Sequence, residues 1–100
     1  MKPKYEFYFR EKPRGGAIIS ITSNSDNRTT NFVRKLEANL TQKLLQPPTP
    51  IHTISSLAQI KITAAYKLEI SVEVRFDHAG QEESLLGMEK AGFKKRPNNL

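Results

Sequence analysis

The chain has 100 residues, no cysteine and a formal net charge of +6, from 16 lysines and arginines against 10 acidic residues. This length predicts a single domain spanning residues 1–100, and the lack of thiols excludes disulfides, cysteine–zinc centres and cysteine nucleophiles. The sequence shows neither an apolar signal segment nor an apolar run long enough to cross a membrane. We therefore expect an intracellular, cytoplasmic protein without membrane contact.

The first predicted element is a β-hairpin. Aromatic residues alternate with polar and charged ones over residues 5–10, which is the two-residue period of a strand. Residues 11–16 contain a proline and two glycines, typical of a turn, and residues 17–22 have the composition of a return strand. Tyr8 falls on the face opposite the other three aromatic residues of the first strand, so we expect its ring to be exposed.

A helix is predicted next. Short polar residues at 23–27 can cap a helix N-terminus, and apolar residues then recur at three- and four-residue spacing to form one stripe. The stripe consists of Phe32, Val33, Leu36, Leu40 and Leu44. Pro47 and Pro48 are expected to end the helix, because proline disfavours the helical conformation in the residue before it. Residues 46–56 are rich in proline, threonine and serine, which predicts a long surface loop.

The clearest periodic signal runs from Tyr66 to Phe76. These eleven residues alternate strictly between apolar and polar side chains, and residues 58–63 show a shorter alternation before them. Such two-sided strands are typical of an antiparallel sheet with one face on a core. The outward face carries Glu69 and Glu73 between basic neighbours, so we expect an exposed face with paired charges that binds polyanions poorly.

Residues 81–91 predict a second helix, with acidic residues in its first turn, a lysine in its last and Gly92 placed to end it. Residues 94–100 are expected to be a frayed tail, with a short edge strand over residues 93–96 as the alternative. The predicted fold class is α+β: a two-layer sandwich with two helices on one face of a mostly antiparallel four-stranded sheet, in the order ββαββα.

No combination of side chains identifies a reaction. The two histidines, His52 and His78, lie in a predicted loop and a predicted turn, without the spacing of a metal site. A histidine in such a place is more often solvated or capping than catalytic. We therefore predict a protein that is not an enzyme and binds no cofactor and no metal. A small ribonuclease that uses scattered arginine, lysine and tyrosine residues is the third alternative.

The excess of basic residues lies in the first helix and at both ends of the chain. Residues 1–16 carry five bases and two acids, and residues 89–100 carry four bases and one acid. Four of the eight aromatic residues lie in the first segment, and rings among cations can stack bases and pair with phosphates. The leading hypothesis is a small, non-catalytic, nucleic-acid-binding accessory or regulatory protein. Its predicted contacts are Lys2, Lys4, Tyr8, Arg10, Lys12, Arg14, Lys94, Lys95 and Arg96.

These residues also have ordinary structural interpretations. The aromatic residues opposite Tyr8 are expected to belong to the core, and the basic residues after position 93 can form a solvated tail. The turn at 12–16 is either a basic finger that enters a groove or an ordinary charged turn. The competing hypothesis is a protein-interaction module, an adaptor or inhibitor, that can also self-associate through an open sheet edge. Its apolar anchors would be Tyr8, Ile18 and Leu57.

Overall fold

The computed structural model describes residues 4–46, 49, 51–54, 59–64, 67–76 and 80–97. Its strands are β1 (Tyr5–Glu11), β2 (Ala17–Ser23), β3 (Ile51–Ile54), β4 (Gln59–Ala64), β5 (Lys67–Phe76) and β6 (Lys94–Lys95). Its helices are α1 (Thr30–Leu45) and α2 (Gln81–Lys90). Within these ranges, no helix has the length and apolar character that a membrane crossing requires.

Strands β1 and β2 form the predicted antiparallel hairpin, with Tyr5 opposite Ser23 and Glu11 opposite Ala17. The turn is closed by two backbone hydrogen bonds. The Lys12 N–H donates to the Gly16 carbonyl at 3.2 Å, and the Gly15 N–H donates to the Lys12 carbonyl at 3.1 Å. Gly16 has φ +78°, a left-handed conformation that glycine adopts without steric cost. The hairpin and its glycine turn are therefore confirmed.

Strand β5 is the centre of the sheet. It pairs antiparallel with β2 along its length, with Ser23 opposite Leu68 and Ala17 opposite Val74. The strand predicted from Tyr66 to Phe76 is confirmed from Lys67 onward, and Tyr66 lies outside the described residues. Strand β5 pairs with β2 on one side and with β3 and β4 on the other, so it joins the hairpin to the outer edge of the sheet.

The outer edge of the sheet contains β3 and β4, which both pair antiparallel with β5. Strand β3 pairs with the last residues of β5, and β4 pairs with the first half of β5. The predicted surface loop at 46–56 is therefore wrong over Ile51–Ile54, where the chain pairs with β5. The β-branched residues of this segment favour extended backbone, and the edge of β5 offers hydrogen-bonding partners. The strand predicted at 58–63 corresponds to β4.

Strand β6 runs parallel to β1, with Lys94 opposite Tyr8 and Lys95 opposite Phe9. The Arg96 N–H continues the pairing by donating to the Phe9 carbonyl at 2.8 Å. The alternative of a short edge strand at 93–96 is thus confirmed, and the prediction of a frayed tail is wrong up to Arg96. Residues 98–100 lie outside the described part of the chain.

The α+β class with two helices is confirmed, but the predicted sheet is not. The described sheet is mixed and has six strands, in the order β3–β5–β2–β1–β6 with β4 also beside β5. The described elements follow as ββαβββαβ instead of ββαββα. The differences arise at the edges, where short segments without a strong alternation pattern gain backbone hydrogen bonds from β1 and β5.

Helix α1 begins after Thr29, whose side-chain oxygen accepts a hydrogen bond from the Phe32 N–H at 3.2 Å. The prediction that a residue at 23–27 caps this helix is therefore wrong. The polar side chains of that segment bind nearby backbone instead: the Ser25 N–H donates to Ser23 Oγ, and the Asn27 N–H donates to Ser25 Oγ, each at 3.1 Å. The helix ends at Leu45, before the prolines, as predicted.

Helix α2 ends as its sequence predicts. Gly92 has φ +99°, and the Phe93 N–H donates to the Met88 carbonyl at 3.0 Å. This glycine-terminated ending turns the chain from α2 into β6. It therefore delivers the basic residues that follow Phe93 to the free edge of β1.

Both helices contribute to one core on one side of the sheet. Strand register places alternate residues of β1, β2 and β5 on that side. The core residues are Phe9, Ala17, Ile19, Ile21, Phe32, Leu36, Leu40, Leu44, Leu68, Ile70, Val72, Val74, Leu85, Met88 and Phe93. Neither described helix packs on the opposite side of these strands, so the remaining side chains of β1, β2 and β5 form a separate surface.

Candidate nucleic-acid interface

The side of β1, β2 and β5 that faces away from the helices carries three rows of side chains, which we call the open face. The rows are Glu6–Thr22–Glu69, Tyr8–Ser20–Ser71 and Arg10–Ile18–Glu73. Strand β6 places Lys94 beside Tyr8, and Arg96 follows it on the same side. The basic C-terminal segment and the aromatic N-terminal segment therefore meet on this face.

The Tyr8 ring lies among charged groups. Its hydroxyl donates to Glu6 Oε1 at 2.9 Å, and Lys94 Nζ donates to Glu6 Oε2 at 2.8 Å. The Arg96 guanidinium carbon lies 4.2 Å from the Tyr8 ring centroid, and Lys94 Nζ lies 5.9 Å from it. These contacts leave the ring half-buried, which corrects the expectation that it is exposed. The ring and the Arg96 guanidinium together form what we call the Tyr8–Arg96 stack.

Glu6 contributes to a raised pKa in both of its partners. Burial, the hydrogen bond to Glu6 and the Glu6 charge raise the pKa of Tyr8 above its ordinary value of 10.0, although Lys94 and Arg96 act in the opposite direction. The hydrogen bond and charge of Glu6 also raise the pKa of Lys94 above 10.5. At neutral pH, Tyr8 is therefore a neutral hydrogen-bond donor and Lys94 a cation.

Arg96 also binds a carboxylate on the far side of the open face. Its Nη1 donates to Glu69 Oε2 at 2.8 Å. Because β1 and β2 lie between β6 and β5, the Arg96 side chain extends across the open face to reach it. The Glu69 side chain is only 6% exposed, and a carboxylate this buried requires a paired cation. The expectation that Glu69 lies on an exposed face is therefore wrong.

A polar hollow of about 180 Å³ opens beside the Tyr8–Arg96 stack. It is lined by Phe9, Arg10, Ile18, Ser20, Glu69, Ser71 and Arg96. The hydroxyls of Ser20 and Ser71 are 3.1 Å apart, and Ser71 Oγ donates to Glu69 Oε2 at 3.3 Å. The hollow therefore combines a carboxylate and two hydroxyls with two guanidinium groups.

The hairpin turn is fixed at both sides. Lys12 Nζ donates to Glu73 Oε2 at 2.6 Å, which holds Lys12 against the open face. On the other side, Gly16 exchanges two backbone hydrogen bonds with the Gln81 side chain at 3.0 and 2.9 Å. These contacts favour the interpretation of residues 12–16 as an ordinary charged turn over a projecting finger.

The structure brings together about half of the predicted contacts. The residues that meet on the open face are Tyr8, Arg10, Lys12, Lys94 and Arg96. Lys4 lies beyond the start of β1, where its N–H donates to Asn24 Oδ1 at 2.8 Å, and Arg14 is exposed in the hairpin turn. Lys95 alternates with its neighbours and faces the other side of the sheet. Lys2 lies outside the described residues.

Four polar residues of this site were not predicted: Glu6, Ser20, Glu69 and Ser71. The alternation of β5 correctly places Glu69 and Ser71 on the outward face. An outward serine in a strand looks the same in sequence whether it faces water or lines a hollow. Nothing in the local pattern therefore distinguishes these residues from solvated ones.

Several other sequence expectations fall outside what the structure describes. The side chain of His52, and all of Leu57 and His78, are among these positions. Within the described ranges, no three histidine, cysteine or acidic side chains come together as a metal site would require. The described site is therefore one of arginine, lysine, tyrosine, serine and glutamate.

Comparisons with protein-family models, curated proteins and solved structures gave no match to this chain. The chemistry of the open face is therefore the feature of this chain that bears on its function.

Proposed function

We propose that the protein binds single-stranded nucleic acid through its open face, as a non-catalytic accessory or regulatory protein. The observation that carries the proposal is the Tyr8–Arg96 stack, with 4.2 Å between the guanidinium carbon and the ring centroid. Single-stranded bases stack on aromatic rings and on arginine planes, while neighbouring cations bind phosphates. The Arg96 side chain is 35% exposed, so part of it is accessible to a base.

The charge of the open face supports the same proposal. Its described cations are Arg10, Lys12, Lys94 and Arg96, and its described acids are Glu6, Glu69 and Glu73. Four cations against three acids leave an excess of one positive charge, which attracts a polyanion. Three of the cations are held in ion pairs, so a bound phosphate competes with a carboxylate at each. We therefore expect moderate affinity with a strong dependence on salt.

A single strand suits this surface better than a duplex. A duplex hides the faces of its bases in the helical stack, whereas an unpaired base can stack on Arg96 or Tyr8. The open face also lies on a sheet, and no described helix or finger projects from it to enter a groove. Binding should therefore be stronger for single strands than for duplexes of the same length.

A binding role is favoured over a catalytic one by the state of the carboxylates. Glu6, Glu69 and Glu73 each accept a hydrogen bond from a cationic side chain. A general base is instead positioned against the proton that it removes from the substrate. Incubation with labelled RNA tests this point: cleavage that disappears when Tyr8 or Arg10 is replaced would favour the ribonuclease alternative.

Fluorescence anisotropy with single- and double-stranded oligonucleotides of about ten nucleotides tests the proposal, at about 50 mM and about 200 mM salt. If about four cations each neutralise one phosphate, log affinity should fall with log salt at a slope of about −3. Arg10→Gln should weaken binding and make the slope shallower, because one phosphate contact is lost. Arg34→Gln removes the same charge from an exposed position of α1 and is the matched control. Absence of binding at the lower salt concentration would overturn the proposal.

A second candidate function is protein interaction through the edge of β1. Strand β6 pairs only with Tyr8 and Phe9, so among the described residues no strand lies beside the first half of β1 on that side. An edge of this kind can accept a strand from a partner or from a second copy of the chain. Light scattering distinguishes the two functions, since a dimer that persists at high salt would favour the second.

A further inference from the structure

The hollow beside the Tyr8–Arg96 stack contains a buried carboxylate whose hydrogen-bonding capacity is only partly used by the described residues. An ionised carboxylate can accept about four hydrogen bonds. In the described part of the chain, Glu69 accepts two, from Arg96 Nη1 and Ser71 Oγ, and both reach Oε2. The other oxygen of this carboxylate receives none from the described residues. Glu69 is therefore able to accept further hydrogen bonds from a ligand in the hollow.

The size and walls of the hollow restrict what such a ligand can be. A hollow of about 180 Å³ suits one flat heterocycle better than a larger molecule. Ile18 supplies an apolar wall, and Ser20 and Ser71 supply hydroxyls. Arg10 lines the same hollow and can bind a phosphate next to the base.

We propose that this hollow is a guanine-binding subsite, in which Glu69 accepts hydrogen bonds from guanine N1–H and the N2 amino group. This inference rests on the proposed function and adds a base preference to it. Arg96 has two roles: it compensates the charge of Glu69 in a buried position, and it supplies the plane of the Tyr8–Arg96 stack beside the hollow. Charge-assisted hydrogen bonds to a carboxylate are stronger than neutral ones, so the preference should be measurable.

The preference for guanine follows from the pairing edges of the four bases. Guanine has two adjacent donors, N1–H and the N2 amino group, which match the two oxygens or two lone pairs of a carboxylate. Uracil and thymine have one N–H between two carbonyl oxygens, which the Glu69 carboxylate would repel. Adenine and cytosine have an amino group beside an acceptor nitrogen. A carboxylate therefore favours guanine, just as amide side chains favour adenine.

The experiment uses three short oligouridine strands that differ only in the central nucleotide, which is guanosine, inosine or uridine. Inosine is guanosine without the N2 amino group. The unmodified protein should bind the guanosine strand about tenfold more tightly than the inosine and uridine strands, the discrimination expected of a bidentate base contact. Glu69→Gln should abolish this preference but bind the uridine strand at least as tightly as before, because Arg96 is then released for phosphate. Glu37→Gln, on the exposed side of α1, should retain the preference.

The outcomes separate this inference from the proposed function. Equal binding of all three strands by the unmodified protein would overturn the guanine subsite and leave nucleic-acid binding intact. A guanosine preference that persists in Glu69→Gln would overturn the role of Glu69, provided that the variant keeps the thermal unfolding midpoint of the unmodified protein. Absence of binding to every strand would overturn both. The inosine comparison needs no variant, so it remains decisive if Glu69→Gln fails to fold.

Discussion

The side chain of Gln81 hydrogen-bonds both backbone groups of Gly16, which lies 65 residues earlier in the chain. The Gly16 N–H donates to Gln81 Oε1 at 3.0 Å, and Gln81 Nε2 donates to the Gly16 carbonyl at 2.9 Å. A Cβ atom on Gly16 would collide with the Val74 carbonyl oxygen, so the turn lies directly against β5. The first residue of α2 thereby fixes the hairpin turn that carries Lys12 to the open face.

Gln81→Ala should destabilise the protein. The substitution removes both hydrogen bonds and leaves the buried Gly16 N–H without its partner, which costs about 1–3 kcal/mol in the free energy of unfolding. Chemical denaturation followed by circular dichroism measures this change. Gln42→Ala is the matched control, since Gln42 is exposed on α1 and should change stability by less than about 0.5 kcal/mol. Equal stability of the two variants would contradict the prediction.

Glu73→Gln should increase nucleic-acid affinity. Glu73 holds Lys12 in an ion pair whose side chains are 49% and 32% exposed, respectively, so the pair is worth at most about 1 kcal/mol. Its removal frees Lys12 for a phosphate and should steepen the salt slope on single strands by about 0.7. Glu37→Gln changes the net charge equally but lies on α1, away from the open face. An identical gain in both variants would mean that net charge alone is responsible.

Tyr8→Leu should weaken single-strand binding, because it removes the ring from the Tyr8–Arg96 stack. Loss of one stacked base costs about 1–3 kcal/mol of binding free energy. Tyr8→Phe keeps the ring and loses only the hydrogen bond to Glu6, so it should retain most of the affinity. Anisotropy titrations of both variants make the comparison. If Tyr8→Phe and Tyr8→Leu weaken binding to the same extent, the hydroxyl of Tyr8 and not its ring is the important group.

Tyr8 should ionise above pH 10.0, because burial and Glu6 raise its pKa. A group whose pKa is raised on folding stabilises the fold fully below its unfolded pKa, and this contribution is lost as the pH rises through the folded pKa. The same sign holds for Lys94, so the contributions of both groups should be constant from about pH 6 to about pH 9 and decline at higher pH.

Tyrosinate absorbance measures the ionisation of Tyr8. The difference between titrations of the unmodified protein and Tyr8→Phe reports Tyr8 alone, and its midpoint should fall toward the ordinary value in Glu6→Gln. A midpoint at or below 10.0 in the unmodified protein would contradict the described contact with Glu6.

The regular elements could largely be predicted because they have local signals. The alternation from Lys67 to Phe76, the apolar stripe of α1, the glycine turn at Gly16 and the stop at Gly92 all depend on residues within a few positions of one another. The edges had no such signal. Strands β3 and β6 form because β5 and β1 offer unpaired backbone, which no local pattern reports.

The candidate site could be predicted only as a set of basic and aromatic residues. Tyr8 and Arg10 share a strand, so their common face follows from the two-residue period. Arg96 and Glu69 are 27 residues apart, and they meet because β6 runs parallel to β1 while β5 lies beyond β2. The sequence analysis considered Glu69 without this partner, because a strand pattern does not report which residue of a distant strand pairs with it.

By itself, the sequence determined the composition of each surface: a core of alternating apolar residues, and basic and aromatic residues concentrated at the chain ends. Only the tertiary structure decided which of those residues are neighbours. The period of a strand assigns a side chain to one face of a sheet, whereas its neighbours on that face depend on strand order. Strand order in turn depends on backbone hydrogen bonds between distant segments, and it brings Tyr8, Arg96 and Glu69 together on the open face.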